Sequence, residues 1–155
     1  MTHEWKIYLA GEIHTSWRET VITACETAAL PVTFSAPVTD HEASDRCGIR
    51  ILGEETEAFW ADRKGALLNS IRTRTLLNQA DVVVACFGEQ YRQWNCAFDC
   101  GIAVASGKPL ILLHPESFNH ALKEIDAAAQ AVCRSPQEVA KVLQYVIAGT
   151  LNVAK

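Results

Sequence analysis

The sequence predicts a doubly wound α/β fold, a flavodoxin-like parallel sheet of four or five strands with helices on both faces, and three observations lead there. Short β-rich runs alternate with longer amphipathic ones, a pattern that requires crossover connections. Two of the short runs, "DVVVACF" (Asp81 to Phe87) and "LILLH" (Leu110 to His114), are continuously apolar, as strands covered on both faces are. Glycine, proline and capping residues separate the runs at the spacing that α/β loops need.

The elements follow in chain order. "WKIYLAG", Trp5 to Gly11, is a strand ending in glycine, and "TSWRETVITACETAAL" is an amphipathic helix that Ser16-x-x-Glu19 opens as a capping box. "PVTFSAP", Pro31 to Pro37, is the second strand, and the polar stretch from Val38 to Glu57 reads as a long loop. A helix covers much of Thr56 to Asn78, with Gly65 as a point where it breaks. Asp81 to Phe87 is a buried strand. Asn95 to Ser106 is a helix whose apolar face is Phe98, Ile102 and Ala105; Gly107-Lys108-Pro109 stops it before the strand at Leu110. The last helix opens at Ser135-Pro136-Gln137-Glu138, a capping box with proline in the first helical position, and buries Val139, Val142, Leu143, Val146 and Ile147.

With 155 residues, 49% of them hydrophobic and 21% charged, the chain is expected to form one domain over 1–155 with a sizeable core. A formal charge of -4 disfavours nucleic acid and anionic membrane surfaces, so a small molecule is the expected partner. No apolar run approaches the roughly 20 residues that cross a bilayer, and no leader pattern is read, so the expected location is cytoplasmic. The six cysteines fall in apolar or helical patterns without a CxxC pair and are expected as reduced core residues.

In a sheet of this order ligands sit beyond the carboxyl ends of the strands, at the point where the strand order reverses. The expected pocket is bordered by the loop after Ala10, the segment after Ala85 and the start of the helix carrying Asp99. Asp99, within "NCAFDCGIAVASGKPLILL", lies at the edge of the buried stripe, where partial burial raises a carboxyl pKa. It suits a nucleophile or a stabiliser of a cation-like transition state, although spacing alone favours an ordinary acid complementing the helix dipole. Tyr8 faces the opposite side of the sheet from Ile7 and Leu9, with its hydroxyl near the switch point, as a donor to a carboxylate or as a core tyrosine. Gly11 and Arg18 flank a helix start where a phosphate would find free N–H groups, although neither GxGxxG nor GxxxxGK[ST] is present. Asp40, His41, Glu42 and Asp45 crowd one stretch; without HExxH or zinc spacing no metal is expected there, and sugar hydroxyls are more plausible partners. Arg72 and Arg74 flank Thr73 on a helix and read by default as solvated. No serine elbow or cysteine–histidine pairing points to other nucleophiles.

Together "IYLAGEI", "ADVVVACFGE" and "AFDCGIAVASGKPLIL" resemble the nucleoside 2-deoxyribosyltransferase superfamily. More closely, "YLAGEIHTSWR", "TDHEASD", "RTRTLLNQAD" and "FGEQYRQWN" resemble its YtoQ family, over about Ile7 to Val146. The resemblance implies cleavage of a base from a sugar by a carboxylate on this helix, with a first-strand tyrosine orienting it. Asp99 matches the nucleophile and Tyr8 the tyrosine. Retention through a covalent sugar intermediate, followed by capture by a base or by water, is the implied chemistry. The chain departs from the pattern twice: it has aspartate where a pattern like "GTAFELG" has glutamate, and Gln93 where the family has an acid six residues earlier. Asn95, Asp40 and Asp45 are the candidates to replace that acid as sugar contacts. The expected function is that of a nucleoside or nucleotide N-glycosidic bond enzyme without a cofactor, transferase or hydrolase, forming a homodimer or larger homo-oligomer. The alternative is a non-catalytic nucleotide- or metabolite-binding module of the same fold.

Overall fold

The computed structural model describes residues 3–150 of the chain. Five parallel strands, β1 (Trp5–Gly11), β2 (Val32–Ser35), β3 (Val82–Cys86), β4 (Leu110–Leu113) and β5 (Ala131–Cys133), lie in the order β2-β1-β3-β4-β5. This is the flavodoxin-like order, and it reverses between β1 and β3. The apolar runs behave as expected: every residue of β3 and β4 is buried.

The period-2 alternation of strand side chains divides the core. Ile7, Leu9, Val82, Val84 and Ile111 face α1 (Trp17–Thr27) and α6 (Pro136–Ala148), whose Trp17, Val21, Val139 and Leu143 complete one layer. Tyr8, Ala10, Val83, Ala85 and Leu112 face the other way, toward α3 (Ala58–Gln79), α4 (Trp94–Ala105) and α5 (Asn119–Ala128). At the start of α6 the Ser135 hydroxyl accepts from the Glu138 amide at 3.2 Å, as its capping pattern predicts. All six cysteines are free thiols, five buried and Cys47 half-buried.

Five readings of the sequence are corrected. The stretch expected as a loop contains α2 (His41–Leu52), capped by Asp40, whose carboxylate accepts from the Ala43 amide at 2.9 Å. Its polar composition hides it, because α2 packs chiefly on α3 and buries only Gly48. Gly65 does not break α3, which is continuous. A Cβ on Gly48 would lie 2.4 Å from the Gly65 nitrogen, and one on Gly65 would lie 2.9 Å from the Asp45 carbonyl oxygen, so the two glycines let these helices touch backbone to backbone. Ser16 stands at the start of α1 without a side-chain cap. On α4 the buried stripe is Cys96, Cys100 and Ala103, while Phe98 is 61% exposed. Finally, α5 and β5 lie between two elements that the sequence joins directly.

Among the described residues no helix is long and apolar enough to cross a membrane. Phe59, Trp60, Leu67 and Ile71 of α3 and Ile51 and Leu52 of α2 are exposed.

Candidate active site

A cavity of about 870 Å³ opens at the carboxyl edge of the sheet, at the reversal between β1 and β3. Its sides are the loop after β1, the loop before α4 and the first turns of α4, as expected, together with one face of α3 and the start of α2, which were not. Asp62, Ala66, Asn69, Ser70 and Thr73 recur at helical spacing and form a single stripe of α3 along the cavity.

The loop after β1 is tightly determined. Gly11 has φ +102°, and a Cβ there would lie 2.1 Å from the Cys86 carbonyl oxygen and 2.9 Å from the Cys96 sulfur. Only glycine lets β1, β3 and α4 meet at the cavity floor. Buried Glu12 then closes a turn: its carboxylate accepts from the His14 amide, from the Thr15 amide at 2.9 Å and from the Thr15 hydroxyl at 2.6 Å.

Arg18 is buried beneath that turn. Its guanidinium donates to the Leu9 carbonyl at 3.1 Å, the Gly11 carbonyl at 3.0 Å and the Glu12 carbonyl, and it stacks 4.7 Å from the Trp17 ring centre. Burial lowers its pKa, though an arginine stays charged at neutral pH. The structure therefore places Arg18 on backbone carbonyls, outside the cavity lining, and not at a site open to a phosphate.

Gln93 lines the cavity, but its amide is turned inward on its own loop. Its Oε1 accepts from the Gly88 amide at 3.1 Å, and its Nε2 donates to the Gln90 and Tyr91 carbonyls at 2.7 and 3.0 Å. Those bonds hold Tyr91 at φ 63°, a left-handed conformation that a non-glycine residue adopts at a cost of about 1–3 kcal/mol. The Tyr91 ring meets that of His14 at 5.0 Å, joining the two loops across the cavity mouth. Asn95 and Asp45 also line the cavity, the latter 3.3 Å from His41. Asp40 does not; it caps α2.

Asp99 lines the same cavity, half-buried. Burial raises its carboxyl pKa from 3.8 to about 6, and no cation among the described residues offsets it. Tyr8 lies in the field of that carboxylate, completely buried, with the Thr73 side chain as a neighbouring hydrogen-bonding group but no hydrogen bond of good geometry among the described residues. Burial first, and then the Asp99 carboxylate, push this phenol up to about 12; Thr73, Arg18 and Arg72 pull it back. The two residues singled out on the first strand and the fourth helix are thus brought together electrostatically. Thr73 and Glu12 were not anticipated. Glu12 follows a strand-ending glycine in "LAGE", whereas Thr73 belongs to the site only because α3 crosses the sheet at this angle.

A sequence profile of the family described as "Nucleoside 2-deoxyribosyltransferase YtoQ" matches residues 8–147. An uncharacterized protein of Bacillus subtilis, YtoQ, is 43% identical over 143 residues, which cover 92% of this chain and 97% of that one. Among solved structures, a 2-deoxyribosyltransferase of Bacillus psychrosaccharolyticus superposes with a TM-score of 0.55 at 21% identity, over 87% of this chain and 90% of the other. A conserved protein of Enterococcus faecalis superposes with a TM-score of 0.60 at 14% identity, over 93% and 99%. These two likenesses establish a shared fold.

Proposed function

Because the chain belongs to the nucleoside 2-deoxyribosyltransferase YtoQ family, we propose that it cleaves the N-glycosidic bond of a nucleoside or nucleotide, with Asp99 as the nucleophile. One observation carries this reading: a half-buried carboxylate, its pKa raised to about 6 and without a counter-ion among the described residues, lies in a cavity large enough for a nucleoside, in the field of the buried Tyr8 phenol.

Each group has a part in the reaction. The ionised Asp99 oxygen attacks C1′, and the C1′–N bond breaks with its electron pair leaving on the base, which takes a proton from solvent. A second base, or water, then attacks C1′ from the opposite side, releases the carboxylate and retains the original configuration. Poor solvation of Asp99 favours the step that removes its charge, since the ester is neutral. Tyr8, with a pKa of about 12, stays protonated at neutral pH; its hydroxyl makes no bond to Asp99 in the structure and is the donor that would aim the carboxylate once substrate is bound. Exposed Trp94 and Phe98 on α4 offer flat apolar surface for the base.

The test is chromatography of free base released from a panel of deoxyribo- and ribonucleosides and their 5′-monophosphates, with and without an acceptor base. Wild-type protein releases base and folded Asp99→Asn loses at least about 10³-fold of the rate, while dependence on the acceptor separates transferase from hydrolase. Continued turnover by folded Asp99→Asn overturns the assignment. Saturable binding without any product favours the binding module instead.

A further inference from the structure

Three arginines line the cavity without an acidic partner. Arg72 and Arg74 flank Thr73 on α3, and Arg92 stands in the loop before α4. None of them makes an ion pair among the described residues. Arg72 donates one hydrogen bond, 3.2 Å to the Ala36 carbonyl, which leaves the rest of its fork unused. All three are exposed.

The acidic groups of the cavity do not neutralise them. Glu12 is engaged by its own turn, and Asp45 faces His41. Asp62 precedes Arg72 by ten residues, about 15 Å along the helix axis. Arg72, Thr73, Arg74, Arg92 and Asp99 line one cavity of about 870 Å³, and Thr73 and Arg72 also act on the Tyr8 phenol, which feels Asp99 as well. A sugar with C1′ at Asp99 would therefore extend its far substituents within reach of guanidinium groups, whose planar forks bind phosphate oxygens two at a time.

We infer that the substrate is a nucleoside 5′-monophosphate, its phosphate recognised by guanidinium groups of the cavity wall, which Arg72, Arg74 and Arg92 supply, and not an unphosphorylated nucleoside. This rests on the glycosidic reading above for the placement of the sugar, but phosphate recognition is measurable without catalysis. It also moves the anion site from Arg18, where the sequence suggests one, to the facing wall of the cavity.

The experiment has two arms. Calorimetry compares 2-deoxyribose 5-phosphate with 2-deoxyribose, and base-release kinetics compare a 2′-deoxynucleoside with its 5′-monophosphate, each for wild type, Arg74→Ala and Arg92→Ala. The phosphorylated ligand is expected to bind at least about tenfold more tightly, and Arg74→Ala to lose that advantage while leaving the unphosphorylated ligand unchanged. Arg92→Ala gives the same selective loss from a different segment, so a local disturbance of α3 is not mistaken for it. Equal binding of the two sugars, or variants that weaken both equally, overturns the inference. The two readings fail separately: phosphate-selective binding without base release sinks the glycosidic reading alone, and base release indifferent to the 5′-phosphate sinks the phosphate reading alone.

Discussion

The two sides of the cavity treat their polar groups in opposite ways. In the loop after β1, Glu12, Thr15 and Arg18 are engaged by partners within the chain, including three backbone carbonyls that share one guanidinium. Elsewhere, among the described residues, Asp99 has no cation, the Tyr8 hydroxyl beneath the cavity has no hydrogen bond of good geometry, and Arg72, Arg74 and Arg92 have no acid. Buried polar groups normally find partners because leaving one unmet costs about 1–3 kcal/mol. The satisfied side is scaffold. On the unsatisfied side the buried Tyr8 hydroxyl and the half-buried Asp99 carry a standing cost, while the exposed arginines carry none and are free to meet a ligand.

Breaking the scaffold side should have the largest effect. Arg18→Met preserves much of the packing on Trp17 but leaves the Leu9, Gly11 and Glu12 carbonyls without their donor, and should lower stability by about 3 kcal/mol in urea unfolding. A loss below about 0.5 kcal/mol would mean that water replaces the guanidinium there and the contrast is false.

On the unsatisfied side substitutions should stabilise. A carboxyl whose pKa rises from 3.8 unfolded to about 6 folded binds protons more tightly in the native state. Its ionisation therefore weakens the fold progressively between about pH 4 and pH 6, and the penalty is full above that range. Asp99→Asn should raise stability by of order 2 kcal/mol at pH 7 and by almost nothing at pH 4. Equal gains at both values would show that packing, and not the charge, is responsible.

The smallest change sharpens the comparison furthest. Tyr8→Phe removes a buried hydroxyl that makes no hydrogen bond of good geometry among the described residues, so the melting midpoint should hold or rise, by about 0.5–1 kcal/mol of stability, while base release slows. A clear loss of stability would reveal a partner for that hydroxyl.

The fold was legible where burial is continuous. The uninterrupted run Val82 to Cys86 becomes a fully buried central strand, and the alternation of Ile7, Tyr8 and Leu9 divides correctly between the two layers. Local pattern failed where long-range contact decides. α2 is held by a glycine crossing with α3, which periodicity does not register, and β5 has only three residues. Phe98 misled because its hydrophobicity suggests burial, whereas small cysteines at positions 96 and 100 let α4 lie close on β1 and β3. Within the candidate site, the pattern of burial singles out Asp99 and Tyr8, and the resemblance supplies the roles proposed for them. Arg18 was assigned to a ligand because its carbonyl partners are backbone atoms, invisible in side-chain patterns. Thr73 faces the cavity because of the angle of α3, which no stretch of sequence encodes by itself, and Arg72 and Arg74 line the cavity on either side of it.

The most direct test of the account is base release followed from pH 4 to pH 8 in wild type and Asp99→Asn. If Asp99 is the nucleophile, kcat/KM in wild type rises as pH passes through about 6, where the free carboxyl loses its proton, and levels off above it, while the variant shows no such limb. A flat wild-type profile across that range, or the same rising limb in folded Asp99→Asn, would contradict it.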